Sequence, residues 1–231
     1  PPARPSLSEL VIFEKQLLEL KSKRKDFVVG ILGSTPEYRD FCQTYGANYK
    51  CVEYNPKNFS VMKQYLLHKD DESHVIESDW RNMKFSQKFD LFIGDLVTTV
   101  SPVKDHELIF ENIKNHCKPG AKAVLKVPLR KDNQQLSHKE IFDIYRGSLS
   151  HLNPFAAVWH EVLMADYDFK EDTMNCQISL KNIEKSYKKG VINKFEFEEF
   201  KKRWDALGDF KMNIPLKTEY LEKVKKYFNI T

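Results

Sequence analysis

Glycine, paired cysteine, long apolar runs and one-sided charge are all scarce in this chain of 231 residues. Only 8 glycines and 10 prolines are present, too few for a collagen-like or low-complexity protein. The four cysteines, Cys42, Cys51, Cys117 and Cys176, are widely spaced with no CxxC, which argues against a disulfide framework or a zinc cluster. No metal site is expected. No signal-peptide pattern and no run long enough to span a bilayer occurs, so no membrane association is expected and a reducing, cytoplasmic setting fits best. The opening PPARPS, without an initiator Met, is set aside as a trimmed end. No GxSxG, Walker loop, HExxH or DxDxDG calcium loop is found, which removes the hydrolase, nucleotide-triphosphatase and metalloprotease classes those motifs mark. The net charge of +4 is too mild to signal nucleic-acid binding. Its excess gathers in residues 181–231, which carry 13 basic and 8 acidic side chains.

What is present is a folding pattern. Hydrophobic residues make up 41% and aromatics 13%, enough for a sizeable core. Ser6 and Glu9 have capping-box spacing, and Leu7, Leu10, Val11, Leu17 and Leu18 recur at helical intervals, predicting an amphipathic helix over 6–24. Phe27 to Leu32 is continuously apolar and ends at Gly33, the pattern of a strand buried on both faces. Thr35-Pro36-Glu37 then opens a helix that Gly46 ends. Further strands are predicted at 49–54, 74–77, 89–95 and 121–127. The helices predicted between them run from Pro56 to about His68 and from Asp105 to Cys117. Five such βα alternations imply an α/β fold with a doubly wound, mostly parallel Rossmann-like sheet. Beyond Pro128 the reading changes to helices at 137–147, 155–165, 178–189, 194–207 and 217–228, with a short strand at 210–214. Three regions follow: a tail and helix at 1–25, an α/β core at 26–130, and a helical C-terminal extension at 131–231 that belongs to the same domain and shapes the acceptor pocket. Within that extension, Trp159, Phe195, Phe197, Phe200 and Trp204 read as core, not as a base-stacking platform.

In an open parallel sheet, ligands sit outside the carboxyl ends of the strands where the strand order reverses, here strands one and four. Residues just past strand ends are therefore the candidates. Gly33, Ser34 and Thr35 form a turn that lets backbone approach a ligand at a helix N-terminus. Glu53 follows Gly33 by about twenty residues, the separation at which a carboxylate on the second strand reaches a ribose diol. A carboxylate only accepts hydrogen bonds, so it suits a diol and repels a phosphate. Asp79 and Trp80 could accept from an adenine amine and cover its ring. Asp95 ends the fourth strand. As a general base it is the first choice, with His106, His138 and Tyr145 as further polar candidates.

These residues resemble the class I S-adenosylmethionine-dependent methyltransferases over roughly 27–128. Leu32-Gly33-Ser34-Thr35-Pro36-Glu37 looks like the first loop of a subgroup that reads Leu-Gly-x-Thr-Pro-Glu. SDWRNM at 78–83 is similar to the family's Gly-Asp-Trp stretch, FDLFIGDLVTTV at 89–100 to its fourth strand, and KPGAKAVLKV to the turn and fifth strand. IFDIYRGSLSHLNPFAAVWHEVLM resembles a helical insertion of that subgroup. The resemblance implies S-adenosylmethionine as cofactor, with Gly33 under its methionyl part beside Ser34 and Thr35. It places Glu53 on the ribose next to Tyr54, Asp79 and Trp80 at the adenine, and Asp95 near the transferring methyl. The glycine stretch is reduced to Gly30-Ile31-Leu32-Gly33-Ser34. That departs further from the G-x-G-x-x-G a pyrophosphate needs than from what a sulfonium cofactor needs.

The reading is thus a methyltransferase acting by in-line transfer, in which alignment and water exclusion supply most of the acceleration and a base is optional. The alternatives are a non-catalytic binding module that keeps the fold and an NAD-dependent oxidoreductase. A small-molecule acceptor is favoured, a nucleic-acid or protein acceptor stays open, and the 6–24 helix either covers the crevice or pairs two copies as a homodimer.

Overall fold

The computed structural model describes residues 5–231, so the expectation for the first four residues lies outside them. The chain divides into two compact units. The first holds the chain up to Thr98, Lys104–Pro128 and Glu219–Thr231. The second holds Thr99–Val103 and Leu129–Thr218.

The first unit is built on five strands: β1 (Val28–Leu32), β2 (Asn48–Glu53), β3 (Val75–Glu77), β4 (Phe89–Asp95) and β5 (Cys117–Lys126). Every pairing is parallel and the order is β3-β2-β1-β4-β5. The chain therefore runs outward from β1 in one direction, then crosses to β4 on β1's other side, which is the reversal that defines a doubly wound sheet. The architecture is Rossmann-like α/β.

Helices α1 (Leu7–Lys23), α2 (Pro36–Thr44), α3 (Pro56–Met62) and α4 (His106–His116) flank this sheet. Side chains alternate between its two faces because strand residues do so with a period of two. Val29, Ile31, Cys51, Leu91 and Ile93 pack with Phe13 and Leu17 of α1 and with Tyr38 and Cys42 of α2. Leu32, Val52 and Phe92 pack on the opposite face with Ile109 and Ile113 of α4, and Phe89 joins them because the β4–β5 register shifts between Phe89 and Leu91. Gly30 in the central strand is a steric requirement: a Cβ there would lie 2.6 Å from the Phe92 ring.

Ser6 and Glu9 form the predicted capping box of α1. Its apolar stripe is divided, however, since Phe13 and Leu17 are buried while Leu7, Val11 and Leu18 are exposed. Two expectations need correction. The helix predicted to reach His68 stops at Met62 and continues only as a 3-10 turn over Lys63–Tyr65. Asp40 accepts the Leu67 and His68 amides and draws that segment away from a helical path. The count of five βα alternations also falls short, since no helix joins β3 to β4. Asn82 N–H donates to the Asp79 carbonyl and Arg81 N–H to the Asp79 carboxylate, so the connection closes as a turn.

The second unit contains α5 (His138–Ile144), continued by a π turn over Tyr145–Leu149, with α6 (Pro154–Ala165), α7 (Cys176–Lys188) and α8 (Lys194–Leu207). A two-stranded antiparallel ladder of β6 (Met174–Asn175) and β7 (Lys211–Met212) joins them. Phe142, Val162, Ile183, Phe200 and Trp204 form its core. Phe195, grouped with that core by sequence, is 59% exposed. The last helix, Lys217–Lys225, returns to the first unit at Glu219, where the Tyr220 hydroxyl meets Thr98 Oγ1 at 3.1 Å.

Candidate functional site

All eight residues singled out as a cofactor site lie in the first unit, at the carboxyl ends of neighbouring strands. Leu32 is in register with Val52 on one side and Gly94 on the other, so Gly33, Glu53 and Asp95 each stand one residue past a common line. Glu53 pairs with Glu77, which puts Asp79 just beyond the end of β3. Strands lie about 4.8 Å apart, so the order β3-β2-β1-β4 sets these positions in a row about 15 Å long.

Gly33 adopts φ +97°, and its N–H donates to the Val52 carbonyl at 2.9 Å. The chain needs that left-handed step to leave the sheet and enter α2 at Pro36. The nearest atom to a hypothetical Cβ is on the Trp80 ring, 3.7 Å away. Thr35 occupies the N-cap of α2 but makes no side-chain capping bond, and the positive end of the helix dipole adjoins the glycine turn.

Ser34 Oγ donates to Glu53 Oε2 at 2.8 Å, and both residues are buried. Glu53 Oε1 accepts from the Asn55 amide at 3.0 Å and from Asn58 Nδ2 at 3.3 Å. Three donors thus orient this carboxylate and leave part of its four-site acceptor capacity. Tyr54 beside it is 69% exposed. Trp80 donates its indole N–H to the Val52 carbonyl at 2.7 Å, which lays the ring across the ends of β1 and β2. Asp79 is held differently from its neighbours: Arg81 grips its carboxylate at 2.6–3.1 Å and also reaches Asp105 at 3.2 Å. The hydrogen bonds from Arg81 hold the Asp79 carboxyl below its ordinary range.

Asp95 differs from the other acids of the row in having an oxygen without a hydrogen bond. Its side chain is 6% exposed and its closest cation, Lys126 Nζ, stands 3.5 Å from Oδ1, an atom that makes no hydrogen bond. Burial pushes its pKa up, Lys126 opposes that, and Glu9 and Glu37 add to the rise. Leu96 immediately after it takes φ 59°, uncommon for a branched side chain, and bends the chain away from the sheet.

Sequence reasoning missed Glu9, Glu37, Tyr38 and Lys126. Lys126 bridges Glu9, at 3.2 Å, and Asp95. Burial raises the Tyr38 hydroxyl, and Asp95, Glu9 and Glu37 raise it further. Lys126 at the end of a predicted fifth strand was the one available signal. Of the other base candidates, His106 is fully buried with Nε2 2.8 Å from the Thr98 carbonyl, and His138 and Tyr145 belong to the second unit. Among the described residues there is no cluster of metal-ligating side chains, and no helix is long and apolar enough to cross a membrane.

Sheet order, all-parallel register and strand-end row together define an open, doubly wound α/β fold of Rossmann-like type. Comparison with solved structures gives the same fold. The PH0226 protein of Pyrococcus horikoshii OT3 matches over 97% of this chain and 84% of its own, with TM-score 0.55 and 15% identity. Among the weaker matches are methyltransferases. The glycopeptide N-methyltransferase MtfA, solved with S-adenosyl-L-homocysteine, matches over 54% of this chain with TM-score 0.41 and 10% identity. An S-adenosylmethionine-dependent methyltransferase of Clostridium acetobutylicum ATCC 824 matches over 61% of this chain and 55% of its own, with TM-score 0.40 and 14% identity. The chain spans about half the length of MtfA, 52% in that match. No protein-family model and no curated protein sequence matches it.

Proposed function

We propose that this chain is an S-adenosylmethionine-dependent methyltransferase whose cofactor lies along the row from Asp79 to Asp95. The observation that carries this reading is the row itself: Glu53 is buried, pre-oriented by Ser34, and set one strand from a left-handed glycine that the Trp80 ring faces. That set of groups suits a cofactor with a diol, an adenine and a cationic sulfur. It suits a pyrophosphate poorly, because the glycine turn is short and Glu37 places a negative charge in the first turn of α2.

When bound, the cofactor supplies a methyl group already activated on a sulfonium. The protein's own share is to bind and align. Glu53 accepts from the ribose hydroxyls, Gly33 and the start of α2 receive the methionyl end, and Trp80 with exposed Tyr54 offers ring surfaces for the adenine. Asp79 takes part once its carboxylate is shared between Arg81 and the base. Asp95, with its raised pKa and an oxygen that makes no hydrogen bond, holds or takes a proton at the acceptor atom. The acceptor itself is left unassigned.

Calorimetric titration with S-adenosylhomocysteine tests this. Binding is expected, with preference over NADH, and Glu53→Ala and Asp79→Ala should each cost about 1–3 kcal/mol. Absence of heat at millimolar ligand overturns the reading. A second reading, a binding module without turnover, draws support from the engagement of Asp79 by Arg81. It predicts cofactor affinity unaffected by Asp79→Ala.

A further inference from the structure

The second unit carries a cluster of a different kind. Ser186 on α7, His138 at the start of α5 and Asp166 at the end of α6 meet in space although they lie far apart in sequence. The His138 Nδ1 atom stands 2.8 Å from Ser186 Oγ, and its buried Nε2 lies 3.3 Å from Asp166 Oδ2, at ion-pair distance but without a hydrogen bond. The imidazole and the carboxylate are nearly enclosed, with side-chain exposures of 10% and 5%. Asp166 is itself fixed, accepting from Ser179 Oγ at 2.5 Å and from Asn182 Nδ2 at 2.9 Å. Ser179, Asn182 and Ser186 recur at i, i+3 and i+7, so one face of α7 supplies both the nucleophile and the donors that orient the acid.

A hydroxyl within hydrogen-bond reach of an imidazole whose other nitrogen meets an anchored carboxylate is the arrangement that activates serine for acyl transfer on unrelated folds. Sequence motifs could not reveal it, because GxSxG marks only one scaffold for this chemistry. A recess of about 330 Å³ opens on the same three side chains, with Lys139, Lys189 and Leu136 also on its wall. That size is at the small end for ligand cavities.

We propose that Ser186, His138 and Asp166 form a second, hydrolytic site for small carboxylic esters, independent of the methyl-transfer reading. Ser186 Oγ bonds to the acyl carbon as its proton passes to His138 Nδ1. The ester C–O bond then breaks and the departing alkoxide takes that proton as an alcohol. Water next adds to the acyl carbon, giving a proton to Nδ1; the Ser186 ester bond breaks, Oγ recovers the proton and a carboxylic acid leaves. Asp166 is a positioning residue whose negative charge beside Nε2 favours the tautomer that leaves Nδ1 free to take the proton, and it draws the ring into a hydrogen bond as the imidazolium forms. Lys189 lines the recess and brings positive charge to its wall, whereas Lys139 is paired with Asp143 at 2.6 Å.

The full chain should be treated with a fluorophosphonate reagent and assayed with p-nitrophenyl acetate. One adduct on Ser186, located by peptide mass spectrometry, and saturable hydrolysis are expected. Ser186→Ala, which removes one atom, and His138→Gln should each lower both rates at least about a hundredfold. Asp166→Asn should lower kcat at unchanged KM and unchanged melting temperature. An unlabelled Ser186 in the folded wild-type protein, or hydrolysis that survives Ser186→Ala, overturns the proposal. Unchanged kcat in Asp166→Asn removes the positioning role.

Discussion

The hydroxyl of Ser34 donates to Oε2 of Glu53 at 2.8 Å, and both side chains are buried, so the turn leaving β1 is fastened to the end of β2. The bond ties the carboxylate's orientation to the glycine turn. Ser34→Ala should therefore weaken S-adenosylhomocysteine binding in calorimetry, by less than Glu53→Ala does and by about tenfold at most. Equal losses in the two variants would contradict the idea that Ser34 works only through Glu53.

Gly33 sits at φ +97° with no atom closer than 3.7 Å to where an added Cβ would stand, so the cost of Gly33→Ala is backbone strain and not collision. About 1–2 kcal/mol of lost stability is expected in urea unfolding. Gly30→Ala should cost more, since its Cβ meets the Phe92 ring at 2.6 Å. The reverse ranking would show that the β1 turn relaxes freely.

Arg39 and Asp70 form an ion pair whose side chains are both fully buried, at 2.5 and 2.8 Å, with Tyr49 donating to the same carboxylate at 2.7 Å. Asp70→Ala leaves a guanidinium without its partner inside the protein and should cost about 3–5 kcal/mol by denaturant titration. A loss below about 1 kcal/mol would mean that water reaches Arg39.

Asp95 has a raised pKa, chiefly from burial, so the folded state binds its proton more tightly than the unfolded chain does. Its stabilising contribution is complete below the ordinary aspartate range near about pH 3.9 and is lost as pH rises through the folded value. Asp95→Asn should thus raise the melting temperature relative to wild type at pH 7, and the advantage should vanish in acid. A pH-independent difference would argue that the lost contact with Lys126 dominates.

Burial raises the pKa of all four thiols, to about 11 for Cys117 and Cys176 and further for Cys42 and Cys51. Few thiolates exist at about pH 8, and the thiolate is the reactive form. Iodoacetamide should modify the native protein slowly and all four cysteines rapidly in denaturant. Rapid native alkylation at Cys51 would count against the packing of β2.

Much of the first unit was legible in the sequence because its cues are local. A continuous apolar run at β1, the Pro36 and Pro56 helix starts and the Ser6–Glu9 box each act within a few residues, and the strands and helices lie within a few positions of expectation. The early stop of the third helix was not legible, because it depends on contacts across the fold, as in the Asp40 bonds to Leu67 and His68 amides.

The sequence by itself determined the order of strands and helices and the residue types at strand ends, since periodicity and capping are written in neighbouring positions. Tertiary structure alone decided that Glu53, Gly33 and Asp95 share one row, that Glu9 comes to Lys126, and that Ser186 meets His138. Such meetings are set by how crossovers and helices pack over tens of residues, where many chain paths share the same local pattern and only the close-packed core selects one.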